Sequence, residues 1–196
     1  MTTAGMRALD ERVLRELADR AEIHDVLLRY CRGADRLDAE LIRSAYHPDA
    51  VDDHGKFLGS AGDFAEWVVG VMRETSISTQ HTLPNVLIEF DGDVAGVETS
   101  FVAYHRKADP DAESGERIEV FGGRYLDRFE RRSGQWRIAE RTVAHDWSTV
   151  LHGAQFPRRE EYVQGRRDRG DAVYRLVDSD ASRRAHRGRD AAPRTH

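Results

Sequence analysis

The chain has 196 residues, 39% hydrophobic and 33% charged, with a formal net charge of −5. That length suits one domain with additions, and such a domain buries roughly 70% of its unfolded-chain surface without cross-links. A single cysteine, Cys31, excludes an internal disulfide framework and any multi-cysteine metal site. No stretch nears the roughly 18 apolar residues of a membrane span, and the N-terminus has no apolar segment of signal-peptide length. A soluble cytoplasmic protein without membrane contact is expected.

The charge is uneven. Residues 148–196 carry 11 Lys and Arg against 7 Asp and Glu, a balance of +4, which leaves −9 for residues 1–147. An acidic body argues against nucleic acid as a partner. Residues 179–196 are basic, lack apolar periodicity and are expected to form a disordered tail. Residues 151–178 keep Phe156, Tyr162, Val163, Tyr174 and Leu176, so this extension is expected to pack on the domain or on a neighbouring subunit.

Residues 8–31 predict a long amphipathic helix, because Leu9, Val13, Leu17, Ile23, Val26, Leu27 and Tyr30 recur at helical spacing. Gly33 is expected to end it as a C-cap. A second helix is expected over Asp38–Tyr46, closed by Pro48, and a third from Ser60 or Asp63 to Thr75 with the stripe Phe64, Trp67, Val68 and Val71. From residue 82 the period becomes two. Strands are expected at Leu83–Phe90, Val94–Lys107, Arg117–Arg131 and Trp136–Trp147, with turns at Asp91-Gly92-Asp93 and Ser133-Gly134-Gln135 and room for a short strand near Val51. Gly122-Gly123 marks a bulge or sharp bend. Three helices before a strand meander give an α+β class: a cone-shaped, strongly bent antiparallel sheet with the helices on its concave side, enclosing a deep pocket. The domain is expected over residues 1–150.

Nine histidines invite a metal or catalytic reading. No short metal-ligand spacing, nucleophile elbow or glycine-rich phosphate loop exists, so neither metal nor cofactor is expected. His24 reads as a boundary residue, His47-Pro48-Asp49 as a turn, His54 as a loop residue and Cys31 as a small buried hydrophobe. Tyr30, Asp35 and His81 stand out by placement, at the end of the first helix and where the sheet begins. A carboxylate can hold an imidazole in one tautomer, and a phenol can donate to a developing oxyanion. The same residues also suit plain structure, with Asp35 capping the second helix and His81 satisfied in the core.

The runs RYCRGADRLDAELIRSAYHPDAV, STQH and GRYLDRFERRSGQWRIAERTVAHDW resemble the SnoaL-like branch of the nuclear transport factor 2-like superfamily over about residues 8–150. Within that branch the chain is most similar to the scytalone dehydratase, hexachlorocyclohexane dehydrochlorinase and bile acid 7α-dehydratase group. The resemblance implies that Asp35 and His81 match the aspartate–histidine pair of these lyases. It also implies that Tyr30 matches a tyrosine five residues before that aspartate, and Arg141 a strand arginine. His105 or its neighbour Tyr104 stands where an acidic residue is found, a departure that bears on substrate and leaving group. By period two, Arg141, Val143, His145 and Trp147 share one face, as do Phe101, Ala103 and His105. Phe64, Trp67, Val71, Phe101, Phe121, His145 and Trp147 are candidate substrate walls.

The expected activity is that of a cofactor-independent lyase of the dehydratase type, or an isomerase, acting on a hydrophobic steroid-, polyketide- or aromatic-type molecule. His81, oriented by Asp35, removes a proton, and Tyr30 with Arg141 or His105 stabilises the oxygen. A polyketide cyclase on the same fold, and a non-catalytic binding or assembly subunit, are the alternatives. A homodimer or homotrimer is expected.

Overall fold

The computed structural model describes residues 3–151 and 161–176. The chain divides into two units, Met1–Gln155 and Phe156–His196. In the first, helix α1 spans Thr3–Arg36. Ile23, Val26, Leu27, Tyr30 and Ala34 form its buried stripe, while Val13, Leu14 and Leu17 of its first half stay exposed. Gly33 does not end the helix. A Cβ there would come 2.7 Å from the Ile42 side chain, so the glycine permits close approach of the next helix. The break comes after Arg36, where Leu37 takes a left-handed φ of 54°.

Helix α2 is only Ala39–Arg43, capped by Asp38, whose side chain accepts from the Leu41 amide at 3.1 Å. The expected continuation to Tyr46 gives way to strand β1, Tyr46–Asp53. Pro48 lies where the pairing of β1 is interrupted, as a residue without an N–H requires. His47-Pro48-Asp49 is therefore irregular strand rather than turn, and buried His47 donates from Nε2 to the Glu130 carbonyl at 2.9 Å. Strand β2, Leu58–Ser60, leads into helix α3, Ala61–Thr75, where Ser60 accepts from the Asp63 amide. Phe64, Ala65, Val68, Val69 and Met72 face inward from α3, leaving Val71 on its exposed side.

The remaining strands are β3 (Ser78–Thr82), β4 (Val86–Asp91), β5 (Val94–Ala108), β6 (Glu116–Arg132) and β7 (Gln135–Leu151). The expected strand at Leu83–Phe90 begins only at Val86, after Pro84, and β3 before it is a strand that the period did not predict. β4 pairs with the first part of β5 and β3 with its later part. The sheet order is β2-β1-β7-β6-β5-β3, and β1 runs parallel to β7, so the sheet is mixed rather than wholly antiparallel. The register shifts between Gly122 and Gly123, opposite Trp147 and His145, leaving Asp146 as the extra residue of a bulge. Tyr30, Phe64, Phe101, Tyr125, Phe129 and Trp136 fill the space between helices and sheet. The unit is of the expected α+β class, a bent mixed sheet with the helices packed on one face.

In the second unit, Asp171 caps a short 3₁₀ turn, Ala172–Arg175, and its carboxylate accepts from the Val173 and Arg166 amides. The expectations for the 179–196 tail and for most of the 151–178 extension lie outside the described residues. No described helix is long and apolar enough to cross a membrane.

Candidate active site

The end of α1 and the end of β3 bring Asp35 and His81 together. Asp35 Oδ1 accepts from His81 Nδ1 at 2.7 Å, and Oδ2 accepts from the His81 backbone amide at 3.0 Å. Because Nδ1 must donate to the carboxylate, Nε2 carries the lone pair and can act as a base. The two side chains are 11% and 6% exposed, and Nε2 makes no hydrogen bond among the described residues. Asp35 does not cap α2; Asp38 does.

His105 on β5 lies with its ring 6.0 Å from that of His81 and 5.1 Å from Phe121. Burial, with His81 and Lys107 adding to it, pushes the His105 imidazole down to about 4, so it is neutral at neutral pH.

A second polar cluster was missed by sequence reasoning. Asp52 on β1 accepts from the Tyr46 hydroxyl at 2.6 Å and from His54 Nδ1. The Tyr30 hydroxyl then donates to His54 Nε2 at 3.2 Å. Beside it, Arg141 grips Asp127 through two 2.7 Å bonds, with both side chains fully buried. The guanidinium lies 4.2 Å from the Tyr30 ring centroid and 4.1 Å from that of Tyr125. Burial pushes the Tyr30 and Tyr125 hydroxyls up, so both stay protonated. The Asp52-x-His54 spacing, running off the end of β1, was the signal available in the sequence.

These contacts correct several expectations. Arg141 pairs with Asp127 and Tyr30 with His54, and neither hydrogen-bonds to Asp35 or His81; Arg141 Nη1 is enclosed without a partner. His145 is exposed, and so is Tyr104, on the opposite face from His105. The bulge at Asp146 turns Trp147 to the far face, where its indole occupies the place of a Cβ on Gly122 and stays 48% exposed. Val71 is exposed as well. The other wall candidates sit on the helix side of the sheet. Phe64 stacks on His54 at 4.3 Å, Phe101 on Tyr125 at 4.5 Å, and Trp67 lies 5.3 Å from Phe57. Two depressions of about 360 and 390 Å³ open on the far face, the first beside Leu87, Glu98 and Arg128, the second beside Gln80, Tyr104 and Arg106. Neither borders the dyad, where the deep pocket was expected. Among the described residues no group of three or more His, Cys, Asp or Glu side chains could hold a metal ion.

Known proteins share this architecture. The SnoaL-like domain family matches residues 15–142. A search of curated proteins returns no match. Among solved structures, hexachlorocyclohexane dehydrochlorinase LinA-type3 from Novosphingobium barchaimii is 21% identical with a TM-score of 0.65, over 74% of this chain and 99% of that one. A candidate scytalone dehydratase from Novosphingobium aromaticivorans is 19% identical, with a TM-score of 0.60 over 74% and 97%. A Kribbella flavida protein is 19% identical, with a TM-score of 0.61 over 68% and 95%. At these identities the likeness carries the fold alone. The family match spans both histidine clusters, from Asp35 to Arg141, and the chain belongs to the SnoaL-like domain family.

Proposed function

We propose that the protein is a cofactor-independent lyase of the dehydratase type, or an isomerase, in which His81 is the general base and Asp35 holds it. The observation that carries this reading is the two-point grip of one carboxylate on the ring and backbone of one histidine. His81 Nε2 takes a proton from a carbon next to a carbonyl, and Asp35 stabilises the imidazolium that forms. The electron pair released moves to the carbonyl oxygen or expels a leaving group. Phe101, Phe121 and the rings around them favour a hydrophobic substrate of steroid, polyketide or aromatic type. Tyr30 and Arg141, both held in the buried second cluster, frame the interior in this reading rather than touch the substrate. Similarity in fold to a dehydrochlorinase and a candidate dehydratase supports elimination chemistry. The exposed Tyr104, Leu126 and Trp147 support a homodimer or homotrimer.

The test is incubation with a panel of hydroxylated steroid, polyketide and aromatic ketones, with mass spectrometry to detect loss of one water. Turnover by the wild type that disappears in both His81→Ala and Asp35→Asn supports the reading. Turnover indifferent to both replacements contradicts it. Ligand-dependent stabilisation without turnover would instead support a non-catalytic small-molecule-binding subunit.

A further inference from the structure

Thr79 precedes His81 by two residues on β3, so both side chains leave the strand on the same face. Across the ladder Thr79 stands opposite His105, and His81 opposite Ala103. Thr79, His81 and His105 therefore share one face of the β3–β5 ladder. Thr79 is 6% exposed, and its Oγ1 is enclosed without a hydrogen-bond partner. Its neighbour Thr82 behaves differently, donating to the Val102 carbonyl at 3.1 Å. Enclosed hydroxyls are normally satisfied, and an orphan destabilises the fold. Burial keeps His105 neutral, so its partly buried ring offers one N–H and one bare nitrogen, neither hydrogen-bonded among the described residues. The Thr79 hydroxyl and the His105 N–H are thus two donors on the strand face that carries His81, whose ring lies 6.0 Å from that of His105.

We propose that Thr79 is a specificity-determining residue whose hydroxyl, together with His105, binds an oxygen atom of the substrate beside the carbon that His81 deprotonates. The inference rests on the proposed function and narrows it. Two neutral donors reward a carbonyl or hydroxyl oxygen, whereas a halogen accepts hydrogen bonds poorly. The site therefore selects an oxygenated substrate over a halogenated hydrocarbon of the same shape. Thr79 transfers no proton; it holds the oxygen in place.

Valine replaces threonine with nearly the same shape and no hydroxyl, so Thr79→Val isolates the hydroxyl, and Thr79→Ser restores it. The probes are 1-indanone and indane, which differ chiefly in one carbonyl oxygen, titrated into the full chain by calorimetry or NMR. Thr79→Val is expected to weaken 1-indanone binding by roughly fivefold to tenfold, the range for one neutral hydrogen bond, and to leave indane unchanged. Thr79→Ser should recover the ketone affinity. Thermal denaturation adds a readout that needs no ligand: removing an orphan hydroxyl should leave the Tm of Thr79→Val equal to or above that of the wild type. A lower Tm, equal losses for both probes, unchanged ketone affinity or no ketone binding by the wild type would each overturn the proposal. Proton abstraction that depends on His81, with ketone binding indifferent to Thr79, defeats the subsite alone. Indifference to both residues defeats the proposed base as well.

Discussion

Asp35 holds His81 with both oxygens of its carboxylate, one on the ring Nδ1 and one on the backbone amide, so ring rotation and tautomer are set by a single side chain. Asparagine at this position keeps the shape but presents one donor and one acceptor. Asp35→Asn should therefore shift the neutral His81 ring toward the Nε2–H tautomer and lower any His81-dependent rate by about 10²-fold or more. Imidazole ¹⁵N chemical shifts check the first outcome; an unchanged tautomer would mean that Asp35 does not orient the ring.

His105 gives a pH dependence with a defined sign. Burial lowers it from 6.5 to about 4. Between those values the unfolded chain binds a proton that the folded chain does not, so stability rises with pH across the window. The contribution is complete above about 6.5 and is lost as the pH falls toward 4, by at most roughly 3 kcal/mol. His105→Gln, neutral throughout, should narrow the difference between urea midpoints measured above and below the window. An unaltered difference would assign the acid sensitivity elsewhere.

The Arg141–Asp127 pair is fully buried, so breaking it should hurt more than removing it. Arg141→Met leaves an enclosed carboxylate unpaired and should cost about 3–5 kcal/mol in chemical denaturation. Arg141→Met combined with Asp127→Leu should recover most of that loss. A double variant no more stable than the single one would show that the pair holds the fold through more than its charges.

Two adjacent glycines should respond differently to alanine. At Gly122 the new Cβ meets the indole of Trp147, a half-exposed side chain that can swing away. At Gly123 it meets the Ala144 carbonyl at 2.3 Å, which is backbone of the neighbouring strand. Gly122→Ala should shift tryptophan emission at small loss of stability, whereas Gly123→Ala should disrupt the β6–β7 ladder and lower the Tm by considerably more. The reverse order would contradict the register at the bulge.

The contrast between these residues shows what local sequence can and cannot convey. The α1 stripe from Ile23 to Tyr30, though not its expected first half at Val13 and Leu17, and the turn at Asp91-Gly92-Asp93 are legible because helical period and turn chemistry are local properties. Gly33 reads as a cap because its actual role, making room for Ile42, belongs to a partner outside its own helix. Period two places Arg141 and Trp147 on one face, and the bulge at Asp146 breaks that period without a mark of its own on β7. The bond from Arg141 to Asp127 needs the β6–β7 register, which no local pattern fixes. Asp35 and His81 emerge as a pair only through the resemblance to the dehydratase group, since spacing alone also suits a cap and a core histidine.

The central claim, that His81 is a general base held by Asp35, is tested most directly by proton exchange. In D₂O at neutral pH, NMR can track replacement of hydrogen by deuterium at the carbon next to the carbonyl of 1-indanone. Exchange faster than in buffer is expected with the wild type, lowered by at least ~10²-fold in His81→Ala and strongly reduced in Asp35→Asn. Exchange that proceeds at the wild-type rate in His81→Ala, or that the wild type does not accelerate, would contradict it.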